Sequence, residues 1–261
     1  MLEKIDLETV VAIAEKAGKA IMEIYERDFI IEYKDDKSPL TEADTLSNEI
    51  ICRALGEFYP EIPLLSEENK AVPYDERKSW EYYWCIDPID GTKEFIKKND
   101  EFTVNIALIH KDTPVLGVVY APALGDMYKA KQGEGAFKNG IKLPTKQNLT
   151  PELSLHVVAS KSHLSEETQA FIVALARTTN EIHQVSKGSS LKLCMVAEGE
   201  ADIYPRLAPT MEWDTAAADA IVRESGKMTY QYTLDMSEEV PVVYNKADLL
   251  NPWFVVKELH K

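Results

Sequence analysis

The stretch WCIDPIDGTKEF, residues 84–95, places two aspartates three positions apart directly after an apolar, strand-like run. Pro88 stiffens the segment between Asp87 and Asp90, and the carbonyl of Ile89 lies between them in the chain. Hard cations such as Mg²⁺ take carboxylate and carbonyl oxygens as ligands, so the segment predicts a metal site. Taken alone, a D-x-x-D-G segment is more often a polar turn capped by its aspartates. Both interpretations stay open at this point.

The residues that come next in the chain, from Gly91 onward, are of the kind that binds an anion. Gly91 and Thr92 begin a short helical pattern that continues from Lys93 to Lys97. Free backbone N–H groups at the start of such a pattern favour a bound phosphate. Metal and phosphate recognition would therefore be adjacent in sequence.

Further carboxylates occur at three other places in the chain. Glu67 and Glu68 follow a short apolar segment, where an exposed acidic loop is the alternative to a ligand pair. Asp214 precedes a predicted helix over 215–225, where an N-cap is the structural alternative. Asp44 ends a T-E-A-D segment with the pattern of a capping box, and its spacing alone favours a cap.

Composition and charge narrow the classes of function. The chain has 261 residues, and 45% of them are apolar, which is enough for a substantial core. Its 29 basic and 44 acidic side chains give a net charge of −15, which repels nucleic acids and anionic membranes. A small phosphorylated substrate is compatible with that charge if metal ions neutralise carboxylates and phosphate together. We therefore expect no nucleic-acid partner.

Apolar runs and cysteines indicate the compartment. The longest apolar runs fall well short of the roughly 20 residues that span a bilayer, so we expect no transmembrane segment. The charged N-terminus lacks a signal-peptide pattern. Cys52, Cys85 and Cys194 show no C-x-x-C spacing and are expected to be buried free thiols. A cytoplasmic protein is predicted, with peripheral contact to the inner face of the plasma membrane as an alternative.

Hydrophobic periodicity predicts layered helices and strands. Two amphipathic helices, over 6–27 and from Thr41 onward, precede the first strong strand. The predicted strands are 84–86, 102–109, 115–120, 126–129, 156–159, 181–185, 202–204 and 240–243, and the later helices are 166–177, 189–197 and 215–225. This alternation favours a mixed α/β fold, of α+β type. We divide it loosely near Thr150 into two tightly packed parts, 1–150 and 151–261.

Several catalytic fingerprints are absent from the sequence. The five histidines show no H-x-x-H or H-x-x-x-H spacing. No G-x-S-x-G, Walker A or G-x-G-x-x-G segment occurs. A histidine-ligated zinc hydrolase, a serine hydrolase, a P-loop enzyme and a Rossmann enzyme are therefore disfavoured.

Four separated motifs occur in a fixed order along most of the chain. They are T-E-A-D at 41–44, S-E-E at 66–68, D-P-I-D-G-T-K-E-F at 87–95 and E-W-D-T-A-A at 212–217. Together they resemble the inositol monophosphatase superfamily of Mg²⁺-dependent, lithium-sensitive phosphatases. The resemblance implies a layered αβαβα sandwich of the inositol monophosphatase and fructose-1,6-bisphosphatase type, which is consistent with the alternation of elements.

The resemblance also implies two principal metal positions. Glu67, Asp87 and the carbonyl of Ile89 would bind a first Mg²⁺ ion. Asp87 would also bind a second ion, together with Asp90 and Asp214. A third, weaker ion would contact Glu67 through water.

Catalytic roles are implied in the same way. Thr92 with Asp44 would orient the attacking water, whose pKa the metal lowers, and Glu68 would lie close by. That water would attack phosphorus in line, while the second ion stabilises the departing oxygen. No covalent phosphoenzyme is needed.

Candidate substrate-binding residues are drawn from the same motifs and from the C-terminal half. They are Gly91, Thr92, Lys93, Ser189, Lys192 and Arg206. The N–H groups of the first two would hold the phosphate. The last three are candidates for a nucleotide and its second phosphate, because an arginine fork suits phosphate and a lysine makes a looser contact.

Residues that differ between branches resemble the 3′(2′),5′-bisphosphate nucleotidases. They are Lys93-Glu94, S-K-S-H at 160–163, G-S-S-L-K at 188–192 and D-I-Y-P-R at 202–206. This branch removes the 3′-phosphate of adenosine 3′,5′-bisphosphate to give AMP and phosphate, a reaction of sulfur metabolism. The nearer alternative is an inositol monophosphatase or another sugar-phosphate phosphatase, and the farther one is a non-catalytic metal-binding scaffold. The expected partner is a small phosphorylated nucleotide, and the expected state is a monomer or homodimer.

Overall fold

The computed structural model describes residues 1–34, 39–148, 150, 153–159, 164–233 and 239–259. Its helices are α1 (Leu7–Tyr25), α2 (Glu42–Phe58), α3 (Tyr74–Arg77), α4 (Thr92–Ile96), α5 (Glu166–Leu175), α6 (Leu191–Glu198) and α7 (Glu212–Glu224). Its strands are β1 (Ile31–Tyr33), β2 (Pro39–Thr41), β3 (Leu64–Ser66), β4 (Tyr82–Asp90), β5 (Thr103–His110), β6 (Thr113–Ala121), β7 (Asp126–Lys131), β8 (Gly135–Lys138), β9 (Ile141–Lys142), β10 (Ser154–Ala159), β11 (Glu181–Ser186), β12 (Tyr204–Arg206), β13 (Lys227–Gln231) and β14 (Phe254–Glu258).

Both of the first two helices begin at side-chain caps, of which the sequence predicts the one at the start of α2. Asp6 accepts hydrogen bonds from the N–H groups of Glu8 and Thr9 at the start of α1. The T-E-A-D capping box forms at the start of α2, where the carboxylate of Asp44 accepts the N–H of Thr41 (2.8 Å). Both helices pack on each other and cover one face of the central sheet.

The central sheet has seven strands, ordered β3-β4-β5-β6-β7-β8-β9. The β3–β4 pair is parallel, and the other neighbours are antiparallel. Successive side chains of a strand point to opposite faces. Trp84 and Ile86 of β4 therefore join the core beneath α1 and α2, whereas Tyr83 and Cys85 join the core shared with α6 and α7. Because β4 is buried on both faces, its carboxyl end is a fixed platform for the residues that follow.

The C-terminal half supplies the remaining layers. Helices α6 and α7 lie against the second face of the central sheet. Beyond them are the parallel pair β10–β11 and the three-stranded sheet β12-β14-β13, joined by a bridge between Val157 and Ile203. Ile172 of α5 packs on Val157 and Val255 of these strands. The predicted αβαβα layering is confirmed.

The structure corrects the last predicted strand. Residues 240–243 form no strand of their own, and Pro241 makes a single bridge to Tyr230. A proline lacks the N–H that a paired strand requires at alternate positions. The strands that complete this sheet are β13 and β14, which the sequence pattern does not predict.

One buried cluster joins residues from both sides of Thr150. It contains Leu65 and Val119 from the first part and Cys194 and Ile221 from the second. The two parts therefore share a core, and the division itself stays a prediction.

The structure bears on two predictions from the sequence, the state of the cysteines and the absence of a transmembrane segment. Cys52, Cys85 and Cys194 are free thiols; Cys85 and Cys194 are buried as expected, whereas Cys52 is half-buried. Within the part of the chain that the structure describes, no helix combines the length and apolarity that crossing a membrane requires.

Gly117→Ala is expected to destabilise the protein by about 1–3 kcal/mol, the usual cost of overpacking a core. Gly117 of β6 faces α7, and an added Cβ would lie 2.1 Å from the carbonyl oxygen of Ala217. A backbone atom cannot yield as a flexible side chain does, so α7 would have to shift. The free energy of unfolding in urea measures this cost.

Gly56→Ala is the matched control. Gly56 lies within α2, and a Cβ added there meets no atom within 4 Å. Alanine is favoured over glycine in a helix by roughly 0.8–1 kcal/mol, so this variant is expected to be more stable than the parent. Equal stability of Gly117→Ala and the parent would contradict the close packing of α7 against Gly117.

Candidate active site

Two strands bring the first carboxylates together. β3 runs parallel to β4 with Ser66 opposite Ile86, and the N–H of Glu67 donates to the carbonyl of Ile86 (3.2 Å). Glu67 therefore leaves the sheet beside Asp87.

The segment from Asp87 to Asp90 belongs to β4 and is not a free turn. Asp87 lies opposite Asn105 and Asp90 lies opposite Thr103, so β4 carries one extra residue between these pairs. A bulge of this kind bends a strand and redirects its side chains. The N–H of Ile89 donates to Oδ1 of Asp87 (3.1 Å) and orients that carboxylate. The segment is thus a bulged strand end, and not the polar turn that is one of the two interpretations of the sequence.

A third element contributes Asp214. This residue lies one turn inside α7, and its Oδ2 accepts the N–H of Met211 (2.8 Å), so it caps the helix from within. Glu67, Asp87 and Asp214 each offer one carboxylate oxygen, and these three atoms lie within 4.8 Å of one another. Asp214 is therefore the third residue of α7, not the N-cap considered from the sequence, and it also belongs to the carboxylate cluster; its role as a metal ligand stays a prediction.

Burial and like charge perturb these acids. Burial raises the pKa of Asp87 well above its ordinary value, and the neighbouring Glu67 and Asp90 raise it further. Burial, and then Asp90, raise the pKa of Asp214 to about 8. The pKa values of Glu67 and Asp90 are also raised, chiefly by burial. The protein therefore concentrates negative charge here without full compensation.

Lys34 reaches the edge of this cluster. Its ammonium donates to Oε1 of Glu67 (2.9 Å) and to Oε1 of Glu68 (2.7 Å). These contacts place Glu68 beside Glu67, with the Lys34 ammonium between the two carboxylates as their positively charged partner.

The donor set fits a hard divalent cation. Glu67, Asp87 and Asp214 offer carboxylate oxygens, which Mg²⁺ prefers over nitrogen or sulfur. Their closeness and raised pKa values mean that a bound cation would relieve repulsion that the side chains alone leave in place.

Asp44 serves two partners with its two oxygens. Oδ2 accepts the N–H (2.8 Å) and the hydroxyl (2.6 Å) of Thr41, which caps α2. Oδ1 accepts the hydroxyl of Thr92 (3.1 Å), which also lies 3.3 Å from the carbonyl of Ile89. The cap predicted from spacing and the contact with Thr92 implied by the resemblance are both present.

A buried polar chain orients Asp90. The hydroxyl of Ser190 lies 2.8 Å from Oδ2 of Asp90, and the amide of Asn105 donates to that hydroxyl (2.8 Å). The hydroxyl of Thr103 in turn donates to Oδ1 of Asn105 (3.0 Å). Our reasoning from sequence missed this chain. Asn105 and Thr103 are polar residues in an otherwise apolar, buried strand, and that contrast is the signal that could have found them.

The predicted site residues lie around one cleft of about 230 Å³. Its wall includes Glu67, Asp87, Ile89, Asp90, Gly91, Thr92, Lys93, Ser189, Lys192, Arg206 and Asp214. Asp44 and Glu68 do not line the cleft themselves. Asp44 contacts Thr92, and Glu68 contacts Lys34. The 160–163 segment lies outside the described residues.

Two basic side chains, Lys192 and Arg206, also line the cleft, and Lys192 lies close enough to Asp90 to offset part of the rise that burial causes in the pKa of that carboxyl group. The ammonium of Lys192 is buried and donates to the carbonyl of Ser189 (2.7 Å), and burial lowers its pKa to about 8. Arg206 donates through Nη2 to the carbonyl of Pro209 (3.0 Å), while its buried Nε has no partner among the described residues. The cleft wall thus carries acidic and basic side chains together.

Without metal ions, the free energy of unfolding is expected to fall as the pH rises from about 5 to 8. The pKa of Asp214 in the folded protein is raised to about 8, and the pKa values of Asp87 and Asp90 are raised as well. Across this window the folded protein keeps protons that the unfolded chain has released. The stability is therefore fully present below the unfolded pKa and is lost as the pH approaches the folded pKa. Chemical denaturation in EDTA measures the slope.

Asp214→Asn provides the control because it removes one titrating group. Its stability should depend less on pH than that of the parent. Added Mg²⁺ should raise the melting temperature of the parent more at pH 8 than at pH 5, since metal ligands must be deprotonated. A steeper loss of stability in Asp214→Asn than in the parent would contradict the assignment.

Comparison with known proteins gives one consistent relationship. The model of the inositol monophosphatase family matches residues 3–253. The 3′(2′),5′-bisphosphate nucleotidase CysQ of Salmonella typhimurium is 42% identical over 252 residues, which cover 96% of this chain and 98% of the relative. The CysQ protein of Escherichia coli strain K12 is 40% identical with the same coverage.

A solved structure gives the same result. The crystal structure of CysQ from Bacteroides thetaiotaomicron, a bacterial member of the inositol monophosphatase family, superposes with a TM-score of 0.86 at 42% identity. The match covers 98% of this chain and 97% of that one. Family model, sequence relatives and fold therefore agree, and the chain belongs to the inositol monophosphatase family, whose members are metal-dependent phosphatases.

Proposed function

We propose that this protein is a Mg²⁺-dependent 3′(2′),5′-bisphosphate nucleotidase, which hydrolyses the 3′-phosphate of adenosine 3′,5′-bisphosphate to AMP and phosphate. The observation that carries the proposal is one cleft whose wall holds a carboxylate cluster together with two buried or half-buried cations, Lys192 and Arg206. A substrate with two phosphates suits such a cleft. The names of the CysQ relatives point to the same reaction.

The carboxylates would hold two or three Mg²⁺ ions. Glu67, Asp87 and the carbonyl of Ile89 would take the first, and a third, weaker ion would lie near Glu67. Asp87, Asp90 and Asp214 would take the second. Bound ions supply the chemistry that carboxylates lack, because they lower the pKa of water and offset the charge on the reacting phosphate.

Thr92 and Asp44 would position the nucleophilic water. The Thr92 hydroxyl donates its proton to Asp44 (3.1 Å), so its oxygen lone pairs are free to accept a hydrogen bond from a water in the cleft. Asp44 is buried, and burial raises its pKa, whereas its contacts with Thr41 and Thr92 favour the charged form. Glu68, beside Glu67, adds negative charge near the same water.

The two phosphates would be held by different residues of the cleft wall. The N–H groups of Gly91 and Thr92, next to Lys93, would face the 3′-phosphate. Ser189, Lys192 and Arg206 would face the 5′-phosphate and the nucleoside. A dianionic phosphate beside the Lys192 ammonium would offset the burial that lowers its pKa.

Arg206→Gln tests whether Arg206 recognises the 5′-phosphate of the substrate. We expect kcat/KM for adenosine 3′,5′-bisphosphate to fall by about 10- to 100-fold, the size of a lost hydrogen bond to a charged group. Hydrolysis of 3′-AMP, which lacks the 5′-phosphate, should change little. Arg177→Gln, at an exposed position after α5, is the control and should leave both rates unchanged. An equal loss on both substrates in Arg206→Gln would remove Arg206 from recognition of the second phosphate.

A further inference from the structure

One carboxylate in the cleft has no role in the reaction as described so far. Glu94 lies in α4, two residues after Thr92, and forms part of the cleft wall. It is half-buried. No side chain among the described residues donates a hydrogen bond to its carboxylate. Its own backbone N–H is the hydrogen-bond donor that acts on this carboxylate. A half-buried carboxylate that has one backbone donor and no side-chain donor keeps lone pairs with which to accept a hydrogen bond from a ligand.

Two glycines locate the side chain. Oε2 of Glu94 lies 3.4 Å from the position that a Cβ on Gly91 would take. Its Cγ lies 3.0 Å from the corresponding position on Gly188. Glu94 therefore fills the space between the proposed phosphate position at Gly91 and the turn at Gly188 and Ser189. A substrate with its reacting phosphate at Gly91 brings its neighbouring atoms to this carboxylate.

The chemistry of a carboxylate selects those neighbouring atoms. An ionised carboxylate only accepts hydrogen bonds and repels phosphate oxygens. On a nucleoside 3′-phosphate, the donor nearest to phosphorus is the hydroxyl on the adjacent ribose carbon. The adenine amino group is at the far side of the nucleoside. Carboxylates bind a ribose 2′-hydroxyl in the same manner in dinucleotide-binding folds.

We propose that Glu94 is a specificity-determining residue that accepts a hydrogen bond from the hydroxyl vicinal to the scissile phosphate. The inference rests on the proposed function and deepens it. The preferred substrates are then ribonucleotides with a free 2′-hydroxyl, and 2′-deoxynucleotides are poor substrates.

The test compares two substrates with three proteins. The substrates are adenosine 3′,5′-bisphosphate and its 2′-deoxy analogue, and the proteins are the parent, Glu94→Gln and Glu94→Ala. The parent should prefer the ribonucleotide by roughly 10- to 100-fold in kcat/KM. Glu94→Ala should reduce this ratio to about one through loss on the ribonucleotide alone. Glu94→Gln should give an intermediate ratio, because the amide oxygen can still accept.

Glu101→Gln controls for a structural role. The carboxylate of Glu101 accepts the N–H of Gly188 (2.9 Å) and pairs with Lys187 (3.4 Å), so it supports the same turn from outside the cleft wall. Its replacement should change both substrates by one factor and leave their ratio intact. Equal losses on both substrates in Glu94→Ala, or a parent that turns over both equally, would overturn the inference while the proposed function stands. A parent that hydrolyses neither nucleotide would overturn the proposed function, and this inference with it.

Discussion

Asp90→Asn is expected to lower kcat for adenosine 3′,5′-bisphosphate by about a thousandfold. Asp90 is proposed to hold the second ion with Asp87 and Asp214. A metal ion contributes several kcal/mol to stabilising charge in the transition state, and about 4 kcal/mol corresponds to that factor. Asparagine keeps an oxygen for the hydroxyl of Ser190, which lies 2.8 Å from Asp90, but it removes the ligand charge.

The fold should survive this substitution. Burial raises the pKa of Asp90, so its charged form is unfavourable in the metal-free protein. A neutral asparagine avoids that penalty, and we expect the melting temperature without metal at pH 8 to be equal to or above that of the parent. Steady-state kinetics and thermal unfolding in EDTA measure the two effects separately.

Asp75→Asn is the matched control. Asp75 is 90% exposed and forms a surface ion pair with Lys78. Such a pair contributes little to stability, so activity and melting temperature should both stay unchanged. An undiminished rate in Asp90→Asn would contradict the metal assignment.

Asp44→Asn is expected to lower kcat by about 10²- to 10⁴-fold, the usual contribution of a positioned proton acceptor. The amide oxygen can still cap α2 by accepting the N–H of Thr41. Its NH₂ group then faces the hydroxyl of Thr92, which must accept a hydrogen bond instead of donating one. The Thr92 proton then points away from position 44, and the NH₂ group occupies one of the two lone pairs of the Thr92 oxygen, so the hydroxyl presents a different arrangement of donor and acceptor to the water.

Thr41→Ala separates the two functions of Asp44. It removes the hydroxyl that donates to Asp44 (2.6 Å) and accepts the N–H of Ala43 (3.2 Å), but it leaves the contact with Thr92. Loss of such a cap costs about 1 kcal/mol of stability, and the rate should stay near that of the parent. Urea unfolding and kinetics of both variants measure this. If Thr41→Ala lost activity in step with Asp44→Asn, the cap, and not the contact with Thr92, would be the function of Asp44.

Local signals explain what could be predicted from the sequence. The starts of α1 and α2 follow from Asp6 and from the T-E-A-D box, because capping depends on residues close in the chain. Strands β4, β5 and β6 of the central sheet follow from apolar runs, whereas the sequence does not predict β8 and β9. The β13–β14 pairing could not be predicted, since it joins segments whose partners are set by tertiary packing.

In the site, too, some features follow from local sequence and others follow from tertiary packing. Asp87 and Asp90 belong to one short motif, whereas their contacts depend on residues distant in the chain. The bond from Asn105 to Ser190 joins residues 85 positions apart and has no local pattern. The bulge that redirects Asp87 and Asp90 arises from pairing with β5, so the sequence of β4 alone suggests a turn. The acidic residues could be predicted to lie together because the four motifs resemble those of a known family. Their spacing in the sequence does not show that they are close in space.

The most direct test of the account is phosphate release by the Mg²⁺-loaded protein from adenosine 3′,5′-bisphosphate and from inositol 1-phosphate. We expect AMP and one phosphate from the nucleotide, with kcat/KM at least about tenfold above that for inositol 1-phosphate, because only the nucleotide carries a second phosphate for Lys192 and Arg206. A preference for inositol 1-phosphate would contradict the proposed substrate. Release from neither, with metal binding still detected by calorimetry, would make the protein a non-catalytic metal-binding scaffold and contradict the account as a whole.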